Sequence, residues 1–154
     1  MASIESRTEP DAELRGQRLL LFRCAGRLCA CDLQAVREIV PSRTTTRLPG
    51  APDWVSGLVN LRGTLLTVVD LPCRLGTEAR RGRLVIVVES CGKTFGVAVD
   101  EVKDVLMLAD DAFEPVEGQR SLGGIVRAFA HVGAGGDTAL VFDLTAIARE
   151  ALAM

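Results

Sequence analysis

The chain has no tyrosine, one tryptophan and five phenylalanines in 154 residues, and its one histidine is His131. So few aromatics do not furnish the stacking platforms that single strands need, and a formal net charge of -2 gives phosphate no basic face. A small barrel that binds nucleic acid is therefore a minor alternative. With a single histidine and no C-x-x-C pair, a zinc site lacks its four ligands, and neither metal nor cofactor is expected. No apolar run reaches the ~18 residues that cross a bilayer, and the N-terminus carries no apolar signal core. Direct membrane insertion is not expected, and the chain reads as cytoplasmic. Its five cysteines then read as reduced thiols, with Cys29 and Cys31 packed as small apolar residues on one face of a strand.

What is present is a repeat. The phrase from Cys29 to Ile39 returns 66 residues later as Phe95 to Val105, with a turn, a valine, a basic, an acidic and a β-branched residue in the same order. Upstream, Leu19-Leu20-Leu21-Phe22 answers Val85-Ile86-Val87-Val88, each followed by a hairpin glycine, Gly26 or Gly92. Downstream, Gly57-Leu58-Val59 is set against Gly124-Ile125-Val126. Val69-Asp70-Leu71 is set against Phe142-Asp143-Leu144, 73 residues apart, so about six extra residues are assigned to one loop of the second copy. Residues 1–16 are polar and expected to be a disordered tail. Residues 17–154 form one domain of two half-barrel modules, about 17–78 and 83–154, joined by a solvated connector carrying Arg80, Arg81 and Arg83.

The apolar period says β. Phe95, Val97 and Val99 alternate with smaller residues, and the two continuous apolar runs suit strands buried on both faces. The expected fold is all-β: two five-stranded SH3-like barrels related by a pseudo-twofold axis, with a seam between them. Short helices are expected at Pro52–Val55, after Asp70, and at the C-terminus. There Leu144, Ile147, Ala148, Ala151 and Leu152 share one face, with Asp143 as N-cap.

Gly57-Leu58-Val59-Asn60-Leu61-Arg62-Gly63 reads as a strand entering a tight corner, in which Asn60 and Gly63 take left-handed conformations. Arg62 is a lone charge in an apolar stretch, and its guanidinium is expected on a carboxylate such as Glu38 or Asp70.

These motifs together resemble the CheW-like adaptor domain family of bacterial chemosensory systems. The resemblance rests on the Gly57–Gly63 corner with its strand ending at Asp70-Leu71, on Arg83-Leu84-Val85-Ile86-Val87-Val88-Glu89, and on the phrase from Phe95 to Leu106. It covers roughly residues 18–152. It implies a non-catalytic scaffold that couples the cytoplasmic tips of chemoreceptors to the regulatory domain of a chemosensory histidine kinase. Contacts with other CheW-like domains and recruitment to receptor arrays at the inner membrane are also implied. The receptor- or kinase-binding residues carried over by the resemblance are Val36, Glu38, Ile39, Gly57 and Arg62, with Asn60, Arg62 and Gly63 forming the structural corner. From the residues alone, Val36 leans toward an exposed anchor and Ile39 toward a core position. Thr67, Ser56 and Cys29-Ala30 depart from the family's usual residues, which raises the alternative of a pilus or surface-sensing pathway. Asp70 and Asp143 could form a symmetric carboxylate pair for catalysis, but capping accounts for both. His131 is expected in an exposed turn, with no catalytic role.

Overall fold

Glycine-bearing hairpins set the strand order. The computed structural model describes residues 16–76, 83–133 and 136–152. Ala25-Gly26, Arg62-Gly63 and Cys91-Gly92 all have positive φ at both positions, the two-residue turn whose twist matches that of antiparallel strands. They join β1 (Gly16–Cys24) to β2 (Arg27–Asp32), β4 (Val55–Leu61) to β5 (Thr64–Asp70), and β6 (Leu84–Ser90) to β7 (Lys93–Val99). The remaining strands are β3 (Val36–Pro41), β8 (Glu101–Ala109), β9 (Phe113–Pro115), β10 (Val126–Val132) and β11 (Asp137–Phe142). Helices α1 (Leu71–Arg74) and α2 (Leu144–Leu152) follow β5 and β11. Gly16 opens β1, and the rest of the expected tail, like Arg80 and Arg81, lies outside the described residues.

Two sheets result, ordered β3-β6-β7-β5-β4 and β8-β1-β2-β11-β10-β9. Each takes strands from both copies of the repeat, because β3 pairs with β6 and β8 pairs with β1. Both sheets curl until their ends meet. β8 passes through a 3-10 turn at Asp110–Ala112 straight into β9, the opposite edge of its own sheet. In the other sheet the chain after β3 bends back, and Thr46 and Leu58 exchange backbone hydrogen bonds of 2.8 and 2.7 Å on the free edge of β4.

Register shifts in the β3–β6 and β1–β8 pairings let a strand serve two cores. Val36, opposite Val88, packs on the core shared by both sheets. Val40, opposite Val85, packs inside the five-stranded barrel. The continuous apolar runs do face two ways. Leu20, Phe22, Ile86 and Val88 enter the shared core, whereas Leu19 and Leu21 fill one barrel and Val85 and Val87 the other. Cys29 and Cys31 lie together in the shared core with Cys24, and burial pushes the thiols of Cys29 and Cys31 up to about 12. The seam between the barrels is thus filled with side chains.

The end-to-end match of the copies needs correction. Asp70 N–H donates to Trp54 O as Asp143 N–H donates to Ile125 O, and Leu58 pairs with Thr46 as Phe129 pairs with Glu114. Gly57 therefore answers Ala128, not Gly124. The extra residues of the second copy are spread over three connections: before the β9 bridge, before β10, and in the β10–β11 hairpin. Glycine spacing misled because Gly124 belongs to a left-handed loop, Leu122-Gly123-Gly124, with no counterpart in the first copy.

Both expected helices after the repeated aspartates are present. Asp70 Oδ1 accepts from Cys73 N–H (3.3 Å), and Asp143 Oδ1 accepts from Ala146 N–H (3.1 Å). Leu144, Ile147, Ala148 and Ala151 bury the inner face of α2 against the shared core. Pro52–Val55 is a turn closed by Val55 N–H on Pro52 O, not a helix. His131 stands on β10, exposed, 3.6 Å from Glu114, and not in a turn.

Candidate functional site

Glu38 and Arg62 lie 24 positions apart in sequence but meet at one end of the five-stranded barrel. Glu38 follows the bulge of β3, and Arg62 occupies the first place of the β4–β5 turn, where φ is +52°. Asn60 does not take the left-handed conformation expected of it. It stays in β4, and its Oδ1 accepts from Gly63 N–H at 2.8 Å, tying the turn from below. Arg62 thus bears the left-handed geometry itself, and its Nη2 pairs with Glu38 Oε2 rather than with the buried Asp70. With side-chain exposures of 66% and 35%, the pair belongs to the surface.

Around this pair runs a shallow groove lined by Arg37, Glu38, Leu61, Arg62, Thr64 and Thr94. Arg37 is braced from the side: its Nε donates to Glu89 Oε1 (3.1 Å) and its Nη1 to Gln34 O (2.9 Å). The groove floor is apolar through Leu61 and its rim carries both signs of charge, which suits an anchored polypeptide segment.

The other expected residues fall differently. Ile39 is 40% exposed and Val36 is half-buried against the shared core, the reverse of the sequence expectation. The bulge at Arg37 is the reason, since it resets which face each later residue takes. Gly57 is buried. A Cβ there would stand 2.2 Å from Thr46 O, so glycine is required for the Thr46 segment to close the barrel. Leu65, 64% exposed beside the turn, escaped the sequence reading. Its signal was the adjacent pair Leu65-Leu66, of which a strand can bury only one on one face.

Among the described residues, no group of His, Cys, Asp or Glu is placed to hold a metal ion. Asp70 and Asp143 each cap a helix, which leaves a catalytic carboxylate pair without support. No helix among the described residues is long and apolar enough to cross a membrane.

Comparison with known proteins gives a consistent result. The family model for the CheW-like domain matches residues 18–152. The chain is 35% identical to Chemotaxis protein CheW of Rhizobium meliloti over 103 residues, 65% of this chain and 66% of that protein. It is 39% identical to Protein PilI of Pseudomonas aeruginosa over 95 residues, 60% of this chain and 53% of that protein. Among solved structures, scaffolding protein TtCheW from Thermoanaerobacter tengcongensis superposes with a TM-score of 0.74 at 26% identity, covering 84% of this chain and 90% of that one.

Proposed function

Because this chain belongs to the CheW-like domain family and is a non-catalytic scaffold of chemosensory signalling, we propose that it couples chemoreceptor tips to the regulatory domain of a chemosensory histidine kinase. The observation that carries the reading is the Glu38–Arg62 pair at the rim of the groove, an exposed charge pair at the tip of the β4–β5 hairpin. Ile39 and Leu65 add exposed apolar area on the strands that carry the pair, which an interface would cover. Recruitment to receptor arrays at the membrane would follow from receptor binding.

The test separates surface from core. Arg62→Ala should change stability by no more than about 1 kcal/mol, the scale of an exposed ion pair. It should weaken binding to receptor tip or kinase regulatory domain by about 1–3 kcal/mol, as loss of a central interface side chain does. Val36→Asp, which sets a carboxylate against the shared core, should unfold the domain instead. Thermal melts beside calorimetric titrations decide, and an Arg62→Ala protein that binds both partners normally would remove the pair from the interface. The similarity to Protein PilI supports a second reading, a scaffold for a non-flagellar chemosensory pathway. Co-purification with the kinase of one pathway and not the other distinguishes the two.

A further inference from the structure

A polar cleft of about 330 Å³ opens where β2 and β11 end beside the β6–β7 hairpin. Two aspartates stand in it. β2 and β11 pair in parallel, Leu140 beside Cys29 and Val141 beside Ala30, and that register continued by two residues sets Asp143 beside Asp32. Each carboxylate spends one oxygen on a cap: Asp32 Oδ1 accepts from Gln34 N–H (2.9 Å) and Asp143 Oδ1 from Ala146 N–H (3.1 Å). The second oxygen of each has no hydrogen-bond partner among the described residues. Ser90 Oγ and Thr145 Oγ1, bonded to each other at 2.9 Å, form part of the wall.

A cation lines the same cleft. Arg127 sits at the bulge of β10, and its Nη2 donates to Gln17 Oε1 on β1, across the end of the six-stranded barrel, while its guanidinium stands 5.9 Å from the centre of the Phe113 ring. Arg127 is half-buried, its bonds go to a neutral amide and a ring, and it forms no ion pair among the described residues. Opposite charges thus line one cleft without meeting. The other half of the molecule lacks the arrangement: beside Asp70 in the β5–β7 register stands Ala98, and at the bulge of β4 stands Ser56. The fold can therefore be built without the second carboxylate or the arginine.

We infer that the cleft binds a small zwitterion of the α-amino-acid class, its ammonium on the free oxygens of Asp32 and Asp143 and its carboxylate on Arg127. A ligand carrying one charge fits less well. A lone cation on the aspartates leaves Arg127 uncompensated, and a lone anion on Arg127 faces two carboxylates. A ligand with both charges a few bonds apart satisfies all three groups through charge-assisted hydrogen bonds, and the volume is at the small end of ligand sites, roughly 300 Å³ and upward. The inference goes beyond receptor–kinase coupling and rests on none of it, since the cleft shares no lining residue with the Glu38–Arg62 groove.

The test is amide NMR of the full chain at low ionic strength, titrated with L-alanine. The expected result is saturable shifts at the amides of Gln34 and Ala146, which bond the two aspartates, with Gly63 in the other groove unmoved. L-Alaninamide, which lacks the carboxylate, and N-acetyl-L-alanine, which lacks the ammonium, should each bind at least about tenfold more weakly, the scale of one lost charge-assisted contact. Asp143→Asn keeps the cap acceptor and Arg127→Met keeps the apolar stem, and each should weaken L-alanine by about the same factor. The two ligand analogues decide the matter even if a variant fails to fold. Shifts that do not saturate into the tens of millimolar, or that sodium chloride reproduces, would overturn the assignment. So would an analogue that binds as well as L-alanine, or binding that survives unchanged in a folded variant.

Discussion

Asp70 is buried with its carboxyl aimed at the first turn of α1, and burial raises its affinity for a proton above the ordinary value of 3.8. The Cys73 N–H works in the other direction and the nearby Asp100 charge in the same one, but burial is the largest cause. The sign follows by linkage. A carboxyl that holds its proton more tightly when folded contributes stability below pH 3.8, and that contribution is lost as pH rises through the folded value. Asp70→Asn keeps a side-chain acceptor for the cap and removes the ionisation. The stability of the variant relative to the parent should therefore rise between pH 3.5 and neutrality, whereas Asp70→Ala should lose about 1 kcal/mol of capping at any pH. Chemical melts of the three proteins across this range check the slope, and a flat difference between parent and Asp70→Asn would contradict it. Asp70 and its role as a cap were legible in the sequence because the strand-to-helix phrase is local. The partner of Arg62 was legible only as a choice between Glu38 and Asp70, since a pairing over 24 positions depends on how β3 curls.

Among the elements, hairpins were readable and bulges were not. Gly26, Gly63 and Gly92 mark turns that need left-handed backbone, and the structure has a turn at each. A bulge has no residue signature of comparable strength, because it is chosen by which core each half of a strand must reach. That one irregularity reversed the expected roles of Val36 and Ile39. Gly57 shows the same limit from another side: its glycine was visible, but the reason, the carbonyl of Thr46 crossing above it, lies in the tertiary fold. Gly57→Ala should accordingly be more disruptive than a change in backbone freedom alone. The methyl must displace the Thr46 segment and strain a φ of +134°, so a loss well above about 1 kcal/mol is expected. Gly63→Ala, with open space around its Cβ position, retains only the conformational part, and a comparison of the two midpoints in denaturant separates crowding from strain.

For the whole molecule, the repeat announced two barrels, but not how strands would be apportioned between them. Cα pairing of β3 with β6 and of β8 with β1 makes each sheet a joint product of both copies, and the largest core lies between the sheets. Unfolding should then be a single transition, with far-ultraviolet circular dichroism and the fluorescence of Trp54 tracing the same curve. Two resolved transitions would mean that the sheets melt apart. The exchange of strands also bears on how the chain is made. A ribosome delivers β1 to β5 before any of the strands that complete their sheets, so the emerging first copy has neither β6 to pair with β3 nor β8 to pair with β1. Its apolar strand edges stay open until the second copy follows, and the period between the two is when this chain most needs protection from its neighbours.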